Sequence, residues 1–211
     1  MDGQAVQSII RILQKKYPNP APALVFRSDY ELLVAVILSA QCTDVRVNKV
    51  TEVLFKEYST PEKMLTLSQA ELEKYIYSCG FYHNKAKHIL SASRDITEKF
   101  GGKVPEDFDD LKSLAGVGQK TANVVSAVAF KKQAIPVDTH VFRVSNRLGL
   151  VKAATPEKTE IALKQVLPQD KWSDCHHYLI FHGREICSSK KPKCGECELK
   201  DFCDYYKNKG L

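Results

Sequence analysis

Four cysteines near the C-terminal end of the sequence have the residue type and spacing of a metal site. They follow the pattern C-x6-C-x2-C-x5-C, at Cys187, Cys194, Cys197 and Cys203. The other three of the seven cysteines stand singly, at Cys42, Cys79 and Cys175. An odd number with one cluster indicates metal ligation in a reducing compartment and not a disulfide framework. Spacing alone suits either a tetrahedral zinc ion or an iron–sulfur cubane.

A second group of residues that could do chemistry lies in the middle of the chain. Residues 111–122 read L-K-S-L-A-G-V-G-Q-K-T-A, and Gly116 and Gly118 predict a tight turn between two helices. The amides of Gly116, Val117 and Gly118 are expected to point outward together at a helix start, which is an anion site. Lys120 follows in the first turn, where the helix dipole makes a lysine unfavourable. A neutral amine there is a nucleophile; an ordinary solvated lysine is the alternative.

A carboxylate follows eighteen residues after this lysine, in V-D-T-H at residues 137–140. Asp138 is placed to cap a further helix. A capping carboxylate is stabilised as the anion, so it can remain charged beside a developing cation. Pure capping is the alternative, and the two roles are compatible.

Helices must position these groups, because the apolar residues recur at helical spacing and no stretch alternates like a strand. Residues 3–17 form the first amphipathic pattern, and Pro18, Pro20 and Pro22 predict an extended connector behind it. Further helices are predicted at residues 30–40, from 43 or 44, from 60, at 68–80, 84–100, 138–148, 156–167 and 171–184. The predicted class is all-α.

The hairpin, the V-D-T-H-V stretch and the cysteine spacing together resemble the endonuclease III family of DNA glycosylases. That family's hairpin reads close to L-P-G-V-G-x-K-T-A, and Ala115 stands where the family usually has proline. The cysteine pattern matches the family's [4Fe-4S] signature without a residue out of place, which favours the cubane over zinc. The resemblance covers essentially the whole chain.

The resemblance implies the helix-hairpin-helix DNA glycosylase fold. A six-helix barrel domain is expected at residues 22–132, with the hairpin at about 108–129. An iron–sulfur cluster domain is expected to combine residues 1–21 and 133–211, with the DNA cleft between the two domains.

The same resemblance implies a bifunctional DNA glycosylase and apurinic/apyrimidinic lyase of base excision repair that acts on oxidised pyrimidines. Lys120 would attack C1′ of the damaged nucleotide and displace the base. The resulting Schiff base would permit β-elimination, which nicks the strand. Asp138 would assist deprotonation of the amine or stabilise the oxocarbenium-like transition state, and the sequence leaves both roles open.

Reaching C1′ requires the damaged base to leave the helix stack, and two loops resemble the family's positions that fill the gap. Gln41, in residues 39–44, can hydrogen-bond an orphaned base. Phe81, in residues 80–86, can insert between base steps; it replaces the family's common leucine and keeps an apolar wedge. Helix capping by Gln41 and core packing by Phe81 are the alternatives. His140 is a phosphate contact or a packed histidine.

Three lysines lie between the first two clustered cysteines, in S-S-K-K-P-K at residues 188–193. A loop anchored at both ends by the cluster would present Lys190, Lys191 and Lys193 to phosphates. The alternative is a solvated surface run.

The overall charge and the N-terminus bear on partners and location. The formal net charge is +6, which favours a polyanion partner without proving one. We expect a monomer that binds double-stranded DNA with a damaged base or an abasic site. The N-terminus lacks the features of a signal peptide, and the longest apolar run, residues 32–40, is about half the length that spans a bilayer. The expected location is the bacterial cytoplasm or nucleoid, without membrane contact.

Two other functions are open from the sequence. One is a related helix-hairpin-helix glycosylase for alkylated or mismatched bases. The other is a non-catalytic DNA-binding module, against which the presence of both Lys120 and Asp138 argues. Strand nicking at an abasic site separates the enzyme from the module.

Overall fold

The computed structural model describes residues 1–18 and 23–209. In these ranges the secondary structure consists of α helices and short 3₁₀ turns, with no β strand, so the predicted all-α class is confirmed. The predicted connector at Pro20 and Pro22, and the predicted domain boundary between residues 21 and 22, lie outside the described residues. No helix of the described ranges has the length and apolar character needed to cross a membrane.

Contacts divide the chain into two compact units. The internal unit is Pro22–Lys132, and the terminal unit combines Met1–Ala21 with Gln133–Leu211. The helices of the internal unit are α2 (Asp29–Ser39), α3 (Asp44–Leu54), α4 (Pro61–Met64), α5 (Gln69–Ile76), α6 (Tyr82–Lys99), α7 (Phe108–Ser113) and α8 (Gln119–Val128). Those of the terminal unit are α1 (Gly3–Lys16), α9 (Thr139–Leu148), α10 (Pro156–Val166), α11 (Trp172–Glu185) and α12 (Asp204–Lys209).

The internal unit is built around α2. Every residue of α2 from Tyr30 to Leu38 is buried, and apart from Glu31 these residues are hydrophobic on all sides of the helix. Helices α3, α6 and α8 pack against it, and α4 is a single turn of four residues. The predicted capping box is present at the start of α5, where Ser68 and Glu71 bond each other's backbone amides.

The terminal unit has its own core, formed by α1, α9, α10 and α11. The buried face of α1 carries Val6, Ile9, Ile10 and Leu13. Helices α9 and α11 pack closely, because a Cβ on Gly183 would lie 3.1 Å from the Cβ of His140. Glycine at this position lets the two backbones approach each other.

Candidate active site

The hairpin between α7 and α8 is a tight turn whose centre requires glycine. The Val117 amide donates to the Leu114 carbonyl at 3.1 Å, and Gly116 has a φ of +80°. A Cβ on Gly116 would lie 2.9 Å from the Cβ of His88 in α6. Backbone conformation and close approach therefore both select glycine here.

Of the three hairpin amides expected to point outward, the structure shows that one points into the turn. Val117 is 6% exposed, and its amide is used inside the turn. We expected this amide to face outward with those of Gly116 and Gly118, and that expectation is wrong for Val117 because the turn needs its N–H. Gly116 and Gly118 are exposed, and Gly118 begins α8 without a side-chain cap. This leaves the start of α8 open to an anion.

Lys120 is the second residue of α8, as its position after the glycines predicts. Its side chain is exposed, and no carboxylate of the described residues lies within 4.0 Å of its amine. An exposed amine with no ion-pair partner in the described chain is accessible to a substrate.

Asp138 caps α9, as predicted. One carboxylate oxygen, Oδ1, accepts hydrogen bonds from the backbone amides of His140 and Val141, both at 2.8 Å. The side chain is half-buried. Because both hydrogen bonds of the cap use Oδ1, the second carboxylate oxygen, Oδ2, is available for another interaction. Lys120 belongs to the internal unit and Asp138 to the terminal unit.

His140 is half-buried beside α11. Its Nδ1 lies 3.1 Å from Nη2 of Arg143, and since a guanidinium only donates, Nδ1 accepts. Burial lowers the pKa of His140, and the nearby Asp138 carboxylate opposes that shift. Of the two alternatives for His140, these contacts agree with a packed histidine. A phosphate contact stays a prediction.

Gln41 and Phe81 are both exposed residues in the left-handed backbone region. Gln41 has a φ of +52° and Phe81 a φ of +58°, a conformation that non-glycine residues rarely adopt outside constrained sites. Phe81 is 64% exposed, so it is not a core residue, and Thr43, not Gln41, caps α3. The structure therefore excludes core packing by Phe81 and N-capping of α3 by Gln41, while the roles of both residues at a duplex gap stay predictions.

Two residues of α6 that were not predicted from the sequence contact loops of the candidate site. Lys85 is 4% exposed, and its Nζ donates to the carbonyls of Leu38 at 2.8 Å and Ala40 at 2.7 Å, just before Gln41. His88 lies against Gly116. Burial lowers the pKa of Lys85. The sequence did contain a signal for the burial of Lys85, because this lysine is in helical register with the buried apolar residues of α6.

The four clustered cysteines surround one cavity in the terminal unit, with about 330 Å³ of space that includes open solvent. Burial raises the pKa values of Cys197 and Cys203, so ligation of these thiols would release protons. A cubane takes one cysteine on each of four irons, and four cysteines around one cavity fit that donor set.

Arg147, also missed from the sequence, serves this site. Its Nη1 lies 3.5 Å from the Cys187 sulfur, and its guanidinium donates to the carbonyls of Ser188 at 2.7 Å and Ser189 at 2.8 Å. A cation beside a thiolate suits a negatively charged cluster. The same bonds hold the base of the following loop.

That loop carries the three predicted lysines. Lys190, Lys191 and Lys193 are exposed. The Lys193 amide donates to the Ile186 carbonyl at 2.9 Å, which fixes the far end of the loop. The loop therefore presents three positive charges from a backbone that hydrogen bonds fix at both ends.

The fold and these sites define a class of protein: the helix-hairpin-helix glycosylases of DNA repair. Residues 34–169 match the model of the HhH-GPD superfamily base excision DNA repair proteins. Residues 187–203 match the iron–sulfur binding domain of endonuclease III.

Full-length comparisons narrow the class. Endonuclease III of Rickettsia conorii is 48% identical over 208 residues, which is 99% of each chain. Endonuclease III of Escherichia coli is 45% identical over 93% of each chain. A solved trapped endonuclease III–DNA covalent intermediate has a TM-score of 0.94 and 42% identity, covering 100% of both chains. A thermostable thymine-DNA glycosylase has a TM-score of 0.86 at 27% identity, covering 98% of this chain and 97% of its own.

The chain belongs to the endonuclease III family. It is a DNA glycosylase and apurinic/apyrimidinic lyase of base excision repair, and it binds DNA. It carries a [4Fe-4S] cluster.

Proposed function

We propose that this enzyme removes oxidised pyrimidines from double-stranded DNA, with Lys120 as the nucleophile. The observation that carries the proposal is the exposed Lys120 amine at the uncapped start of α8. An amine beside a ready anion site can be placed against a sugar whose flanking phosphate is bound by the helix start. The family's trapped covalent DNA intermediate supports the same chemistry.

The bond that forms joins Lys120 Nζ to C1′, and the N-glycosidic bond breaks, its electron pair leaving with the base and a proton. The bound sugar then opens to an iminium ion. Loss of a C2′ proton expels the 3′ phosphate, which nicks the strand, and water hydrolyses the iminium to restore the amine. The Asp138 carboxylate accepts the amine proton or stabilises the positive sugar in the transition state.

The remaining site residues bind and deform the DNA. The exposed amides of Gly116 and Gly118 take a phosphate at the start of α8. Gln41 and Phe81 enter the duplex where the damaged nucleotide leaves it. The half-buried His140 adds a contact near Asp138.

The lysines of the cluster loop supply charge to this interface. Lys190, Lys191 and Lys193 contact phosphates without reading sequence. The proposed ligands of the [4Fe-4S] cluster are Cys187, Cys194, Cys197 and Cys203. The iron–sulfur domain is then residues 1–21 with 133–211, and the barrel domain is residues 22–132.

The enzyme acts as a monomer in the bacterial cytoplasm or nucleoid. The bacterial relatives support the location. Size-exclusion chromatography with light scattering, with and without a lesion duplex, tests the monomer.

The deciding experiment uses Lys120→Gln, which keeps the length and polarity of the side chain but cannot form a Schiff base. We expect it to bind an oxidised-pyrimidine duplex while losing base release, nicking and the covalent adduct trapped by borohydride. A panel of duplexes that carry one oxidised pyrimidine, one alkylated purine or one mismatch measures lesion choice separately. Undiminished trapping by Lys120→Gln would exclude Lys120 as the nucleophile. Preferred release of an alkylated or mismatched base would contradict the substrate class alone.

A further inference from the structure

Lys85 is a buried cation without an acidic partner among the described residues. Its side chain is 4% exposed, and no carboxylate of the described residues lies within 4.0 Å of its Nζ. Two backbone carbonyls receive its hydrogen bonds instead, Leu38 at 2.8 Å and Ala40 at 2.7 Å. Burying a charge without an ion pair is unfavourable, and the two carbonyls offset part of that cost.

The two carbonyls lie at the end of α2, directly before Gln41. Leu38 lies in the last turn of α2 and Ala40 directly follows that helix. Carbonyls at a helix C-terminus lack intrahelical partners and favour a cation. The next residue, Gln41, has a φ of +52°. The Lys85 ammonium is bonded to the carbonyl of the Ala40–Gln41 peptide. This bond holds the backbone in the turn in which Gln41 adopts its left-handed conformation.

Lys85 also lies one helical turn after Phe81, so its side chain is anchored close to the loop that presents Phe81. The Lys85 amide donates to the Phe81 carbonyl at 3.1 Å in the first turn of α6. Phe81 also has a positive φ, +58°, and is 64% exposed. The Lys85 ammonium is therefore held on the carbonyl directly before Gln41, while the backbone of Lys85 lies in the first turn of the helix that Phe81 begins. Gln41 and Phe81 are the two positions of the internal unit that we assign to the duplex gap.

We propose that Lys85 is a positioning residue that sets the spacing of Gln41 and Phe81, so that both enter the duplex together when the nucleotide is extruded. This inference rests on the proposed role of these two side chains. Without the clamp, the Gln41 loop must be ordered during extrusion, which adds to the entropic barrier for that step. An abasic site in a single strand leaves no gap to fill, so it needs no clamp.

The test compares Lys85→Met with Lys87→Met. Methionine keeps the apolar stem and removes the charge, and Lys87 is an exposed lysine two residues along the same helix. We expect Lys85→Met to slow single-turnover base release from a thymine glycol duplex by roughly tenfold to a hundredfold. Nicking of a single-stranded abasic oligonucleotide should stay within about twofold. The fluorescence rise of 2-aminopurine placed beside the lesion should fall in parallel with base release. Lys87→Met should match the wild type throughout.

A double-mutant cycle separates this inference from the role of the two loops. In the Gln41→Ala, Phe81→Ala background, Lys85→Met should cause no further decrease in base release, because the groups it positions are absent. A full further decrease there would overturn the positioning role while leaving the two loops' role intact. If the double variant itself extruded the lesion at the wild-type rate, the proposed role of the loops would fail, and the clamp with it. Equal decreases on duplex and single strand would show general damage to the fold and would also overturn the inference.

Discussion

Asp138 combines a structural and a chemical role in one side chain. Its Oδ1 accepts hydrogen bonds from two backbone amides at the start of α9, and the proposed mechanism uses the negative charge that the two oxygens share. Capping needs an acceptor, whereas stabilising a sugar cation needs an anion. Different substitutions therefore remove the two roles separately.

Asp138→Asn keeps an acceptor and removes the charge. We expect it to fold with its helix cap, to lose most base release from an oxidised-pyrimidine duplex, and to keep more nicking on an abasic duplex, where no base has to leave. Single-turnover rates on the two substrates measure the difference. Asp138→Ala is the control that removes both roles, and it should also lose about 0.5–2 kcal/mol of stability. Equal decreases by Asp138→Asn on both substrates would contradict this division.

At the scale of elements, the α7–α8 hairpin shows how local geometry accommodates the departure from the family's proline. Leu114 is extended, with φ −71° and ψ 140°, which is the conformation required before a proline. Ala115 follows as the first central residue of the turn closed by the Val117–Leu114 bond. Proline is favoured at that position.

Ala115→Pro should therefore stabilise the protein by about 0.4–1 kcal/mol, because it restricts the unfolded chain. Thermal unfolding of the iron-loaded protein should show the midpoint rising by roughly 1–4 °C. Nicking activity is the parallel measurement and should be retained. A lower midpoint would mean that the backbone at Ala115 does not suit the proline ring.

The lysine loop after Cys187 acts through charge. Replacing Lys190, Lys191 and Lys193 by alanine should lower the salt slope of the logarithm of the DNA binding constant by about 0.9 for each phosphate that the loop no longer neutralises. Titrations over a range of salt concentrations measure this slope. The control replaces three exposed lysines of the internal unit, Lys56, Lys63 and Lys74, which removes the same charge. Equal slopes in the two triple variants would assign the effect to net charge and not to the loop.

At the scale of the whole molecule, the two units have separate cores. The internal unit buries α2 among its own helices, and the core of the terminal unit includes Cys203 and packs against Cys187 and Cys197. A metal site built into a core couples binding to folding. Removal of the cluster should thus affect mainly the terminal unit.

Cys197→Ser tests the ligand set and this coupling together. The wild type should contain about four irons and four sulfides per chain, and the variant should lose most of both. Limited proteolysis with mass spectrometry should locate the new cleavages in residues 187–209. Cys175→Ala, a buried cysteine of the same unit outside the cluster, should keep its iron. Full iron content in Cys197→Ser would exclude Cys197 as a ligand.

The sequence determined the features that depend on near neighbours along the chain. The first helix was expected at residues 3–17 and is found at Gly3–Lys16; Asp138 caps α9, and Lys120 lies in the first turn of α8. Helical periodicity, capping and turns are interactions over three or four residues, so they can be read from local spacing. The motif spacing likewise led to the family and its cluster.

Only the tertiary structure decided which groups those elements bring together. Lys85 bonds to a carbonyl 47 residues away, and Arg147 to one 41 residues away, so no local pattern indicates either bond. The burial of Val117 and the exposure of Phe81 also depend on which face of the local structure meets the core. A residue's type and neighbours restrict its own backbone, but its partners across the fold are set by packing.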